Sequence, residues 1–326
     1  MIAVVVAVVA ALVVGVILCL VAFTAWTARQ VEKLLPPAGR FVDVDGARIH
    51  YLDEGDGPVL VLIHGLSGQM HNFTHSLLAP LRREFRVVIL DRPGNGYSTP
   101  APQGAGITAQ ARIIARFCDA LGLKRPLVVG HSLGGTIALA LAANHPDHVG
   151  GLALIAPATD RPDHVPDPFG RLVIRSPLVR RLVAWTVATP LAIAGSARTL
   201  AVLFGPQPVP GDFGVKGGGL LSLRPRSFIG ASTDLVAAQS EEEAPDAARD
   251  LTMPIGILFG DSDRVLDPQV HGKGFAAKVK GAELEIVAGG GHMIPVTSAD
   301  RTVAFITRMA RRVVTAETAA PAAARE

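Results

Sequence analysis

The sequence predicts an α/β fold, with a mostly parallel central sheet covered by helices on both faces. Two patterns carry that expectation. Apolar runs at 59–64, 86–91, 127–130, 152–156, 255–260 and 284–287 have the length and composition of buried strands. Helix-like stretches near 75–83, 108–121, 133–144 and 299–312 alternate with them. Such alternation layers helices on both faces of a sheet and places function at the carboxyl ends of its strands. A third feature adds a transmembrane helix, since no residue from Ile2 to Trp26 is charged and Val, Ala, Leu and Ile dominate there.

At about 1.5 Å per residue, a helix over that stretch exceeds the roughly 30 Å hydrocarbon core of a bilayer. A cleaved secretory signal would have a basic start and a shorter apolar region. Leu18 also stands before Cys19, where a lipoprotein signal needs a small residue. Residues 1–27 are therefore expected to be an uncleaved, single-pass membrane anchor. A polar linker over 28–40 follows, with Pro36-Pro37 inside it. Its Arg29, Lys33 and Arg40 favour placing the domain that follows on the cytoplasmic side by the positive-inside rule. Next, Phe41-Val42-Asp43-Val44 and Arg48-Ile49-His50-Tyr51 alternate around Asp45-Gly46, which is a hairpin signature.

Residues 41–157 and 251–314 are expected to form the two parts of one core. Between them, 158–250 shows little strand pattern. Candidate helices there are 178–189, bracketed by Pro177 and Pro190, then 198–204 and 227–239, with a loop-like 205–219. The run from Leu178 to Trp185 has one apolar face with an Arg pair beside it, which suits packing on the core or contact with a bilayer. The Ala-rich tail over 315–326, with Pro321, has no apolar periodicity and is expected to be disordered.

The chemistry concentrates at one turn. Leu127-Val128-Val129 runs into Gly130-His131-Ser132-Leu133-Gly134 and on into a small-residue helix. A serine on so sharp a turn has strained backbone angles, and small neighbours let strand and helix approach. The turn lifts the hydroxyl clear of the sheet and aims helix amides at whatever binds there. A serine hydroxyl is a poor nucleophile at neutral pH without a base in reach. His292, after Gly289-Gly290-Gly291, can be that base. Asp261, Asp263 and Asp267 compete for the acid. His131 is expected to point elsewhere, and His64 to hydrogen-bond within its own loop.

Ser, then Asp, then His, each just past a strand, is an order in which the chain resembles the α/β-hydrolase superfamily from about Phe41 to Arg312. Leu60-Val61-Leu62-Ile63-His64-Gly65 is similar to the family's strand and His-Gly step. The resemblance implies an oxyanion hole made by the amides of Leu66 and Leu133. Asp91-Arg92-Pro93-Gly94-Asn95-Gly96-Tyr97-Ser98 resembles the loop after the next strand, with Asn95 where the family usually has His. The family's spacing from Gly260 selects Asp263 as the acid.

The resemblance further implies an α/β-hydrolase fold whose segment 158–250, inserted after the sixth strand, is a helical cap or lid. Dehalogenase and epoxide-hydrolase members use a carboxylate where this chain has Ser132. A serine there implies acyl transfer through an acyl-enzyme, with no cofactor and no metal. With an anchor and an apolar cap, the expected substrate is an amphipathic or lipid-like carboxylic ester. A carbon–carbon bond hydrolase of ring-cleavage products and a non-catalytic binding protein of the same fold are the alternatives.

Composition excludes other classes. Hydrophobic residues make up 49% of the 326, and the mean hydropathy of +0.37 is partly explained by the anchor. Cys19 and Cys118 support neither a disulfide framework nor a clustered metal site. A net charge of +3 on scattered basic residues, without interleaved aromatics, argues against nucleic acid as a partner.

Overall fold

Proline, and not polarity, ends the first helix. In the computed structural model, which describes residues 1–160, 169–240 and 250–323, α1 runs Ile2–Leu34 and stops just before Pro36-Pro37. The linker expected from residue 28 is therefore helical at its start. Ala28, Arg29, Gln30, Glu32 and Lys33 are good helix formers, whereas a proline disfavours helix in the residue before it. α1 is long and apolar enough to cross a membrane. It buries only Thr24, Thr27 and Val31 against the rest of the chain.

β1 (Arg40–Val44) and β2 (Ala47–Glu54) form the expected hairpin. Asp45 at φ 46° and Gly46 at φ 84° adopt the two left-handed positions that its tight turn requires. β3 (Val59–Ile63) leads to α2 (His71–Thr74) and α3 (Leu78–Leu81). One helix was expected near 75–83. Pro80 permits only a fresh start, because a proline fits a first turn but not a helix interior. Then come β4 (Arg86–Leu90), α4 (Ile107–Ala120), β5 (Leu127–His131), α5 (Leu133–Asn144) and β6 (Gly151–Ile155).

Between the sixth and seventh strands lie α6 (Pro177–Trp185), α7 (Ala188–Phe204) and α8 (Pro225–Ser240). α6 starts at a Ser176 cap with Pro177 behind it. The expected 178–189 helix instead breaks at Thr186-Val187, and α7 leaves the bend at 75°. Pro190 opens α7 where the sequence pattern suggested it would close α6, since a proline in a first turn removes no helical hydrogen bond. The chain finishes with β7 (Ile255–Gly260), a π-helical turn at Pro268–Gly274, α9 (Phe275–Lys278), β8 (Glu283–Val287), α10 (Ile294–Thr297) and α11 (Ala299–Ala323). α11 carries the tail, expected to be disordered from 315, in helical form to Ala323. Ala316, Ala319 and Ala320 favour continuation of the helix by propensity.

The eight strands lie in the order β1-β2-β4-β3-β5-β6-β7-β8, antiparallel for β1/β2 and β2/β4 and parallel elsewhere. From β3 the chain goes to one side to make β4, then crosses back to the other side for β5. That reversal opens a crevice beyond the carboxyl ends of β3 and β5. His64-Gly65-Leu66 follows β3 there, and Ser132 follows β5. α5 lies so close that a Cβ at Gly134 would stand 2.1 Å from the Ile63 carbonyl oxygen. Gly134→Ala is expected to destabilise the fold by about 3 kcal/mol or more, read as a large fall in melting temperature. Gly170→Ala, where a Cβ meets nothing within 4 Å, should leave it unchanged.

Candidate active site

Ser132 sits at φ 53°, ψ −123°, a conformation that costs energy for any residue with a Cβ and persists only when its surroundings enforce it. The surroundings are backbone. The Ser132 amide donates to the Ile155 carbonyl at 3.0 Å, and its own carbonyl accepts from Gly135 at 2.8 Å. A Cβ at Gly130 would lie 2.5 Å from the Gly134 oxygen, and one at Gly135 would lie 2.7 Å from Pro157. Glycine is needed at both positions for strand, turn and helix to close. Ser132, Leu133, Leu66 and His292 all line one cavity of about 1380 Å³. Among the described residues the Leu66 amide has no acceptor. Leu133, as the first residue of α5, has an amide without an intrahelical partner.

Beyond β7 and β8, His292 Nδ1 lies 2.8 Å from Asp263 Oδ2. The other oxygen of Asp263 accepts from the amides of Val265 at 2.7 Å and Leu266 at 3.0 Å. Burial pushes this carboxyl up, but the imidazole beside it and these hydrogen bonds outweigh burial and hold it below the usual carboxylate range. A carboxylate accepting from Nδ1–H leaves Nε2 as the basic nitrogen of the ring. Among the described residues no hydrogen bond joins Ser132 Oγ to His292, although both line the same cavity. The two rival aspartates are engaged elsewhere. Asp261 accepts from Ser262 Oγ at 2.9 Å and from the Gly289 amide at 2.7 Å, while Asp267 caps the Gln269 amide at 2.8 Å.

The two remaining candidate histidines are structural. His64 Nδ1–H donates to the Gly65 carbonyl at 2.9 Å, and its Nε2 accepts from the Arg92 amide at 3.0 Å. Burial, reinforced by the Arg92 charge, pushes it down to about 3. His131 Nε2–H donates to the His292 carbonyl at 3.0 Å. Burial and the neighbouring His292 push it down to about 3 as well. Both rings are neutral at neutral pH.

Sequence reasoning missed the supports behind the site. Arg92 is fully buried and donates to the His64 carbonyl at 2.9 Å, the Gly65 carbonyl at 3.0 Å and Gln110 Oε1 at 2.6 Å. It thereby fixes the peptides that lead to the Leu66 amide. Its charge is met by Asp234 of α8 at 2.9 Å, which also accepts from Asn95 Nδ2 at 2.9 Å. Gln207, in the segment after α7, donates to the Gly289 carbonyl and accepts from the Gly291 amide at 3.0 Å. A Cβ at Gly291 would sit 2.2 Å from the Gly205 oxygen, so this glycine lets the inserted segment reach the histidine loop. One signal was available, for Asn95 in place of the usual His marks the position that meets Asp234. Gln207 and Asp234 themselves carry no local signature.

A sheet with this strand order, bearing a serine turn after β5 and a histidine loop after β8, has the architecture of the α/β hydrolases. The model of the alpha/beta hydrolase fold family matches residues 58–299, and the chain belongs to that family. A bifunctional esterase/perhydrolase from Acinetobacter calcoaceticus is 28% identical over 277 residues, covering 78% of this chain and 93% of its own length. The dihydrolipoyllysine-residue acetyltransferase component of an acetoin cleaving system from Cupriavidus necator is 42% identical over 119 residues, 36% of this chain. The chain spans only 32% of the length of that relative. Among solved structures, a membrane phospholipase A described as a bacterial virulence factor superposes with a TM-score of 0.66 at 27% identity, over 93% of this chain and 97% of that one. An esterase from Thermogutta terrifontis shares the fold at 22% identity and a TM-score of 0.65, over 84% of this chain and 99% of its own.

Two outcomes follow from the buried groups. Unfolding lets His64 and His131 take up protons near pH 6.5 that the folded state refuses until about pH 3. Stability should therefore fall on acidification below pH 6.5, by about 1.4 kcal/mol per pH unit for each ring. Thermal melts at pH 7.5 and 5.0 read this directly, and equal melting temperatures would contradict it. Asp234→Asn leaves the Arg92 charge buried and unpaired, and should cost about 3–5 kcal/mol in the same assay.

Proposed function

We propose that this chain is a membrane-anchored serine hydrolase that cleaves carboxylic esters of amphipathic or lipid-like substrates through an acyl-enzyme. The observation that carries the reading is the meeting of Ser132 and His292 on one cavity, with Asp263 on the far nitrogen of the imidazole. Ser132 Oγ attacks the ester carbonyl as His292 Nε2 takes its proton. The negative charge that develops on the carbonyl oxygen is met by the amides of Leu66 and Leu133. The tetrahedral intermediate collapses, and the alcohol leaves with the proton from Nε2. His292 then deprotonates a water that attacks the acyl group, and the acid departs as Ser132 regains its proton. Asp263 keeps the imidazole in the right tautomer and stabilises its protonated form without taking up the proton.

The apolar lining from the inserted segment supports an acyl chain as the bound group. Leu200, Leu203, Val209, Phe213, Leu220 and Leu223 all face the cavity. We read 158–250 as the cap over the site, of which 161–168 and 241–249 lie outside the described residues. α1 supports anchoring, and the basic residues after its apolar stretch favour a cytoplasmic catalytic domain. The likeness to a membrane phospholipase A and to an esterase/perhydrolase points the same way.

Hydrolysis of p-nitrophenyl esters from acetate to palmitate by the full chain in detergent tests this reading. Ser132→Ala should lose at least about 10³-fold in kcat, and Asp263→Asn a comparable factor, while Asp261→Asn keeps near-normal turnover. Turnover that survives Ser132→Ala would defeat the proposal. A large loss in Asp261→Asn alone would reassign the acid.

A further inference from the structure

The bend between α6 and α7 is apolar on its outer side. Leu178, Leu182 and Trp185 form one stripe along α6 and are 79%, 59% and 43% exposed. Val187 and Leu191 carry the stripe past the bend. Arg175 and Arg181 are exposed beside it. Arg180 faces the other way and holds α6 on α8 through Ser232 Oγ at 2.9 Å and Thr233 Oγ1 at 2.7 Å. A contiguous exposed apolar face of this kind marks a contact surface.

α1 indicates what covers it. Thr24 Oγ1 donates to the carbonyl of Thr186, inside the bend, at 3.4 Å. Further along α1, Val31 and Leu35 pack on Leu221, and the Tyr97 hydroxyl donates to the Leu35 carbonyl. The buried Arg224 guanidinium lies 3.6 Å from Glu32. α1 is therefore fixed against the body and is not a free tether. Thr24 lies about 33 Å along the helix from Ile2, close to the roughly 30 Å thickness of the hydrocarbon core. If α1 spans a bilayer, the bend is held at the boundary between acyl chains and headgroups.

We infer that the α6–α7 bend is a second, interfacial membrane contact, seated on the leaflet from which α1 emerges. Leu178, Leu182, Trp185 and Val187 enter the boundary region, and Arg175 and Arg181 meet anionic headgroups. Leu191, which carries the stripe past the bend, is exposed and also lines the cavity of Ser132. The cavity mouth thus opens on the leaflet, and the ester is drawn from the bilayer instead of from water. The contact rests on the reading of α1 as a membrane span, and the substrate route rests on the serine-hydrolase proposal.

The chain has two tryptophans, Trp26 and Trp185, so full-length Trp26→Phe protein reports on Trp185 alone. It is reconstituted in vesicles of phosphatidylcholine and phosphatidylglycerol whose acyl chains are brominated near the headgroup. Trp185 fluorescence should fall at least about twofold, with little quenching by aqueous iodide. Quenching by iodide and not by brominated lipid overturns the contact. Protection from both quenchers also overturns it, because a protein partner such as a second copy of the chain would then cover the bend. The route is tested with Leu178→Ser/Leu182→Ser, two positions outside the cavity lining. In the same vesicles, hydrolysis of a bilayer-embedded long-chain ester should drop about tenfold while p-nitrophenyl acetate turnover is unchanged. Equal effects on both esters, or none on either, overturn the route. Absence of hydrolysis by the unmutated protein defeats the catalytic proposal and the route with it, whereas Trp185 quenching judges the contact independently.

Discussion

The approach of α5 to the ends of β3 and β5 sets the position of Ser132 and brings its turn against the Gly65-Leu66 step. The separation is so small that Gly130, Gly134 and Gly135 each stand where a single added carbon would strike backbone or proline. This contact forces Ser132 into left-handed angles, and those angles present both its hydroxyl and the first free amides of α5 to the crevice. The same closeness puts the turn beside Gly65, whose own Cβ would lie 2.9 Å from that of Ser132. Strain at Ser132 and proximity of the Leu66 amide are two results of one packing constraint.

Around that constraint the inserted helices act as part of the site's frame. Asp234 neutralises Arg92, and Arg92 grips the two carbonyls that precede Leu66. Gln207 grips the glycines before His292 from the opposite side. The segment that encloses the apolar end of the cavity therefore also steadies both loops that would act on a substrate. Because Arg92 and Asp234 are buried, their pairing has little competition from water, and either partner alone would be an uncompensated charge.

The N-terminal helix belongs to the same framework. Its last turns share a small apolar cluster with Leu221, and the neighbouring Arg224 lies over the Tyr97 ring at 4.5 Å. Tyr97 follows Asp91, whose carboxylate collects His50 at 2.7 Å and the amides of Met70 and Tyr97 at 2.8 and 2.9 Å. A continuous series of contacts thus runs from the apolar helix through the loop after β4 to the edge of the candidate site.

Much of this was legible in the residues themselves, and the division has a physical cause. The Ser, Asp, His order was legible only through the family resemblance, whereas strand periodicity, the glycines flanking Ser132 and the uncharged run to Trp26 all act through chain neighbours or through backbone rules that hold in any context. They determined the α/β architecture, the serine turn and the long apolar helix without reference to distant parts of the chain. The residues alone left three closely spaced aspartates open and only the family resemblance favoured Asp263, because a turn of a few residues can aim each of them differently. In the tertiary structure it is Asp263 that meets His292. Tertiary structure decided that His64 serves Arg92 and that α6 breaks at Thr186, where the bend meets α1. Asp234 and Gln207 carry no local signature of their own, since their partners lie more than eighty residues away and only folding brings those charges and amides together.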